Sequence, residues 1–110
     1  MKFIQKPWGH ELIWAETDGY VAKILHINAE QRLSLQYHEL KEETVYVLEG
    51  TLLNWTDESS PPQRYGPGAI FHVKPEQIHR FGAGKKLVKL VEVSTPHLDD
   101  VVRISDDYKR

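Results

Sequence analysis

Ser34-Leu35-Gln36-Tyr37-His38-Glu39-Leu40-Lys41-Glu42-Glu43, continuing through Thr44-Val45-Tyr46-Val47-Leu48-Glu49-Gly50, is the stretch whose reading decides the fold. Side chains alternate along an extended strand, so Ser34, Gln36 and His38 share one face, which is polar where an apolar stripe would be expected. A short run of turn-like composition follows. Val45 to Leu48 then reads as a second strand, β-branched and aromatic, closed by Gly50. The spacing predicts a hairpin that brings the Glu43 carboxylate back toward the His38 imidazole and the Gln36 amide oxygen. These are three candidate ligands for a cation, and His79, after Val73-Lys74-Pro75-Glu76-Gln77-Ile78, offers a fourth.

Working outward, the pattern repeats. Glu11 to Trp14 forms a short strand after Pro7-Trp8-Gly9, with Trp8 and Trp14 expected to close one end of the core. Tyr20 to Ile27 reads as a strand on which Val21, Lys23, Leu25 and Ile27 share a face, so a lysine stands among aliphatics. Further strands are expected at 51–55, 69–73, 78–81 and 87–94, separated by Gly, Pro and Asp turns. On the last of these Glu92 shares a face with Val88 and Leu90. Only the tail from Leu98 to Arg110 has room for a helical turn. Short strands throughout predict an all-β sandwich or barrel, a single domain over residues 1–110.

Composition excludes several function classes. A formal charge of -2 leaves no basic surplus for a nucleic-acid backbone or an anionic membrane, so neither partner is expected. No apolar run approaches the roughly 20 residues that cross a bilayer, and Met1 to Pro7 lacks the apolar core of a signal peptide. A soluble, cytoplasmic protein is the expectation. Zero cysteines rule out disulfides, thiol nucleophiles and Cys-ligated zinc, so any metal must use imidazole, carboxylate or amide donors. His10, His26, His72 and His97 have no partners at metal spacing and read as ordinary hydrogen-bonding histidines, while Glu39, Lys41 and Glu42 read as the solvated face of a turn.

The spacing Gln36-x-His38-x4-Glu43-x6-Gly50, followed by Gly68-x10-His79, resembles the two cupin motifs, in which a first segment and a later histidine bind one metal inside a small β-barrel. Lys74, Glu76 and Ala83 stand where the second motif has Pro, Gly and Asn. Among cupins the chain is most similar to the type II mannose-6-phosphate isomerase domain, also found fused to guanylyltransferases. Lys6-Pro7-Trp8-Gly9, Arg32 to His38, Val47 to Thr51, His79-Arg80, Val91-Glu92-Val93 and Asp100 to Tyr108 carry that likeness. In that family a Gln stands at the position of Gln36.

The resemblance implies a single cupin barrel (double-stranded β-helix, or jelly roll) that holds a divalent metal through Gln36, His38, Glu43 and His79. Zinc is the first candidate, with Mn, Fe, Co or Ni also compatible, because mixed nitrogen and oxygen donors discriminate weakly. The implied activity is aldose–ketose isomerisation of mannose 6-phosphate and fructose 6-phosphate or a related pair. That reaction needs an electrophile to stabilise an enediolate and a group that transfers a proton. Glu92 and Lys23 are nominated for the proton, and Arg103, with Lys23, for the phosphate of the sugar. Arg80 is expected on the opposite face from His79, at the surface. The alternative is a cupin that is not an isomerase, either a sugar-binding module or a metal-dependent dioxygenase. Small barrels commonly cover an exposed edge with a second subunit, so a homodimer is expected.

Overall fold

Runs of β-branched and aromatic residues cut every few positions by Gly, Pro and Asp favour strands. The computed structural model, which describes residues 1–110, contains no helix. Its strands are β1 (Lys2–Lys6), β2 (Gly9–Glu16), β3 (Val21–Ile27), β4 (Leu35–Tyr37), β5 (Glu43–Glu49), β6 (Leu52–Trp55), β7 (Gln63–Tyr65), β8 (Ile70–Val73), β9 (Arg80–Gly82), β10 (Val88–Ser94) and β11 (Val102–Ser105). One six-stranded sheet runs in the order β1-β2-β3-β10-β5-β8. The opposing wall consists of β11-β4 and β7-β6-β9, linked by bridges between Gln36 and His79 and between Arg32 and Gly82. Every pairing is antiparallel.

Between the walls, alternate residues of β3, β5 and β10 point inward. Leu25 and Ile27, Val45 and Val47, and Val88 and Leu90 meet Trp8, Leu52, Val73, Phe81 and Ala83 in one buried cluster. The all-β expectation holds, and the architecture is the double-stranded β-helix. Gly50 ends β5 at φ 80°, where a Cβ would lie 2.2 Å from the Leu87 carbonyl oxygen, so only glycine fits this turn.

Four expectations are corrected. β4 does not pair with β5. It pairs with β11, while β5 lies between β10 and β8 in the other sheet, so residues 39–42 carry the chain from one wall to the other. The tail holds a strand, β11, in place of a helical turn, because the β-branched Val101, Val102 and Ile104 favour an extended chain that adds to the free side of β4. Trp8 is buried in the core, but Trp14 is 50% exposed at an irregularity between Ile13 and Ala15. Arg80 is only 3% exposed. Its guanidinium donates to the Leu33 and Ser105 carbonyls at 2.9 and 3.1 Å, tying β11 to the loop before β4.

Candidate metal centre

The isolated bridge between Gln36 and His79 exchanges two backbone hydrogen bonds of 2.9 Å each, which puts the two side chains on the same inward face. His38 follows two residues after Gln36. Its ring Nδ1 bonds the Asp100 carbonyl, and the Nδ1 of His79 bonds the Gln77 carbonyl at 3.0 Å. A carbonyl can only accept, so both Nδ1 atoms carry the proton and both Nε2 atoms face inward. They meet one oxygen. Glu43 Oε1 lies 3.5 Å from His38 Nε2 and 3.2 Å from His79 Nε2. Two cis ligands about 2.1 Å from an ion stand roughly 3.0 Å apart in an octahedral site and roughly 3.4 Å apart in a tetrahedral one, so this spacing suits first-row metal coordination.

Gln36 lines the same cavity, and its amide nitrogen donates to the Ser34 carbonyl at 3.3 Å, which leaves the amide oxygen as its uncommitted acceptor. Ser34 Oγ is buried there without a hydrogen-bond partner. The donor set therefore fits a divalent cation: three converging groups from three segments, all buried, with an amide beside them.

The other Glu43 oxygen is occupied. Lys41 Nζ lies 3.4 Å from Oε2 and 3.3 Å from Glu92 Oε2, so the lysine holds both carboxylates and leaves Oε1 as the single oxygen aimed at the imidazoles. Farther along, Lys23 Nζ stands 3.2 Å from Glu11 and 3.9 Å from Glu92. A row of alternating charges, Glu11, Lys23, Glu92, Lys41 and Glu43, thus crosses the inner face of the large sheet. Burial disfavours charge on Glu43, but its polar contacts with His38, His79 and Glu92, together with the Lys41 charge, outweigh it and hold the carboxyl well below its usual range. Glu92 goes the other way. Its burial, and then the neighbouring Glu43 charge, push it up to about 8 against the pull of Lys41 and Lys23. For Lys41, burial alone would lower the ammonium, but Glu92 and Glu43 more than reverse that.

The structure brings Lys23, Glu92 and all four of Gln36, His38, Glu43 and His79 to one cavity of about 230 Å³. Arg103 also lines it, but from the exposed mouth, on β11 opposite Gln36. Lys2, Lys6 and Arg110 add further cations to that mouth. Sequence reasoning missed Lys41, which is 5% exposed, together with Glu11 and Asp100. A signal existed for Lys41: it stands two residues before Glu43 and so shares its face if the strand geometry begins early. No such signal existed for Asp100, whose carboxylate accepts from the backbone N–H groups of Glu39, Leu40 and Lys41 at 3.1, 2.7 and 2.9 Å. The four other histidines lie away from the cavity lining, as expected.

The cupin domain family matches residues 23–94, which hold all four candidate ligands and Glu92. The chain is a cupin. This cupin is 30% identical over 95 residues to quercetin 2,3-dioxygenase of Bacillus subtilis (strain 168), a match covering 81% of the chain but 27% of that relative, so it spans about a quarter of the relative's length. Among solved structures it superimposes on the polyketide cyclase RemF of Streptomyces resistomycificus with a TM-score of 0.78 at 18% identity, covering 86% of this chain and 70% of that one. A sugar phosphate isomerase of the cupin superfamily from Silicibacter pomeroyi aligns with a TM-score of 0.67 at 19% identity, covering 78% and 58%. At these identities the structural likenesses show a shared fold.

Proposed function

We propose that this cupin is a metal-dependent isomerase acting on a sugar phosphate, with mannose 6-phosphate and fructose 6-phosphate as the first pair to test. The observation that carries this reading is that a three-donor cluster and a buried carboxylate, Glu92, share one cavity whose mouth bears cations. His38, His79 and Glu43 Oε1, with Gln36 beside them, would hold a divalent ion, zinc first. Such an ion supplies an electrophile for adjacent sugar oxygens. In its ionised form Glu92 takes the proton from the carbon next to the carbonyl and returns it to the former carbonyl carbon, while a hydroxyl proton passes between the two oxygens. Isomerisation balances without an oxidant. Lys23 and Lys41 hold the Glu92 carboxyl in place, and Arg103 and Lys6 receive the phosphate at the mouth. A cytoplasmic setting, where sugar phosphates are met, is part of the same proposal.

The test is turnover across hexose and pentose phosphates by the purified protein, together with its metal content. Turnover is expected to vanish on chelation and return with added metal. Glu92→Gln is expected to lower kcat by about 10²- to 10⁴-fold with metal content unchanged. Turnover indifferent to chelator would overturn the mechanism. The similarity to a dioxygenase favours a second reading, metal-dependent oxygen chemistry, for which oxygen uptake without isomerisation would be the sign. Binding of sugar phosphate without turnover would instead make the chain a binding module.

A further inference from the structure

The strand registers set two rows of side chains on the outer face of the six-stranded sheet. One is apolar and crosses from Phe3 through Leu12, Ile24, Val91 and Tyr46 to Ile70. Beside it runs a polar row, in which Gln5 stands opposite His10, His10 opposite His26, His26 opposite Lys89, and Lys89 opposite Glu49. Sequence spacing offers His10 and His26 no partner, because they lie on different strands. The register supplies one. Direct opposition on antiparallel strands holds two Cβ atoms about 5 Å apart, within reach of a shared ligand.

The two rings are already arranged for one. Their centroids lie 4.6 Å apart with the planes at 19°, and Phe3 stacks on His10 at 4.7 Å. This three-ring stack fixes rotamers that a ligand would otherwise have to freeze. The ring nitrogens are also unspent. His38, His72, His79 and His97 each commit Nδ1 to a carbonyl or a hydroxyl, whereas neither His10 nor His26 makes a hydrogen bond through its ring. Gln5 shares the condition of Gln36: its amide nitrogen donates to the Gly9 and Lys6 carbonyls at 3.0 and 3.3 Å, which leaves the amide oxygen free. Hydrogen bonding therefore does not account for the pair.

We propose that His10 and His26 form a second metal site, for a late divalent transition ion such as zinc, nickel or copper, with the Gln5 amide oxygen as third donor. Two neutral imidazoles and an amide carry no charge, whereas the inner cluster includes the Glu43 carboxylate. A neutral, nitrogen-rich set suits the ions at the upper end of the affinity series and not magnesium or calcium, which take carboxylate oxygens. Lys89, the cation next in the row, lies 3.8 Å from Glu49 and is balanced by it. A slight tilt of the rings brings one nitrogen of each to the roughly 3.0–3.4 Å spacing of cis ligands. The ion cross-links β2 to β3 from outside, on the face of the wall opposite Lys23 and the cavity. The site is independent of the reaction catalysed within.

Equilibrium dialysis of the metal-free full chain against micromolar zinc, followed by elemental analysis, tests it. His10→Gln/His26→Gln is expected to hold one zinc per chain fewer than the wild type, with an unchanged far-ultraviolet circular dichroism spectrum. His10→Phe keeps three stacked rings but removes one imidazole, and so keeps the test decisive if loss of both histidines disturbs the sheet. It is expected to weaken the outer ion by about 100-fold, because the second donor of a chelate acts at high effective concentration. His38→Gln/His79→Gln removes the inner donors and is expected to keep the outer zinc, so failure of the inner centre and failure of this site are read separately. Equal zinc content in the wild type and in both outer-face variants overturns the proposal.

Discussion

Each face of the six-stranded sheet carries one row of side chains opposite to what burial would assign it. The inner face, shielded from water, carries Glu11, Lys23, Glu43 and Glu92, while the outer face carries an uncharged row from Phe3 to Ile70. Inside, each charge has an opposite partner within 4 Å, and the row ends on two imidazoles. Buried charges persist only when paired, and replacing them with apolar groups is often neutral or stabilising, so stability alone does not account for this row. Outside, exposed apolar area is retained that solubility would remove. In both places the chain departs from simple amphipathicity.

The contrast can be broken experimentally, starting from the inner face. Lys41→Met removes the cation between Glu43 and Glu92 and leaves two buried carboxylates facing each other. A loss of about 3–5 kcal/mol in denaturant unfolding of the metal-free protein is expected, and a loss below 1 kcal/mol would show that the row is not held by pairing. Next come adjacent positions on β3. Leu25→Ala, in the core, is expected to cost about 2–5 kcal/mol. Ile24→Ala, on the outer face, is expected to cost about 0.5 kcal/mol or less. Equal costs would erase the difference between the faces. The smallest effect concerns His26, stacked on His10 at 4.6 Å beside the apolar row. Partial burial, then the charges of His10 and Lys89, lower its pKa from 6.5 against the opposing pull of Glu49. The unfolded chain therefore takes the proton more readily, so the stability contributed by the neutral ring is present above 6.5 and lost as pH falls through the lowered value. His26→Gln should flatten the fall in melting temperature between neutral and mildly acid pH, and parallel curves for the two proteins would exclude this role.

Much of this was legible in the chain itself, for a definite reason. Alternation along β3 and β10 put Lys23 beside Leu25 and Glu92 beside Leu90, and the folded barrel keeps both charges inward. The spacing of Gln36, His38, Glu43 and His79 also survives as a shared cavity. What local pattern could not supply was pairing. A short polar run between two strands reads as a hairpin turn, yet residues 39–42 span two sheets, and Lys41 is drawn inside by carboxylates on β5 and β10. Arg80 was misplaced for the same reason, because the carbonyls that bury it belong to residues 33 and 105. The outer row was equally hidden, since each member is one unremarkable aliphatic or aromatic residue until the registers align them.

Asp100 gives the ligand geometry an order of assembly. Its carboxylate gathers the loop at 39–41, its carbonyl orients the His38 ring, and β11, which follows at once, completes β4 beneath Gln36. A nascent chain that has emerged only as far as residue 94 already possesses all four donor residues and every strand of the large sheet, yet nothing fixes the His38 ring or its loop. The candidate ion pocket is therefore completed only by residues beyond 94, and a chain ending before Asp100 would lack both the carbonyl that orients His38 and the strand that pairs with β4.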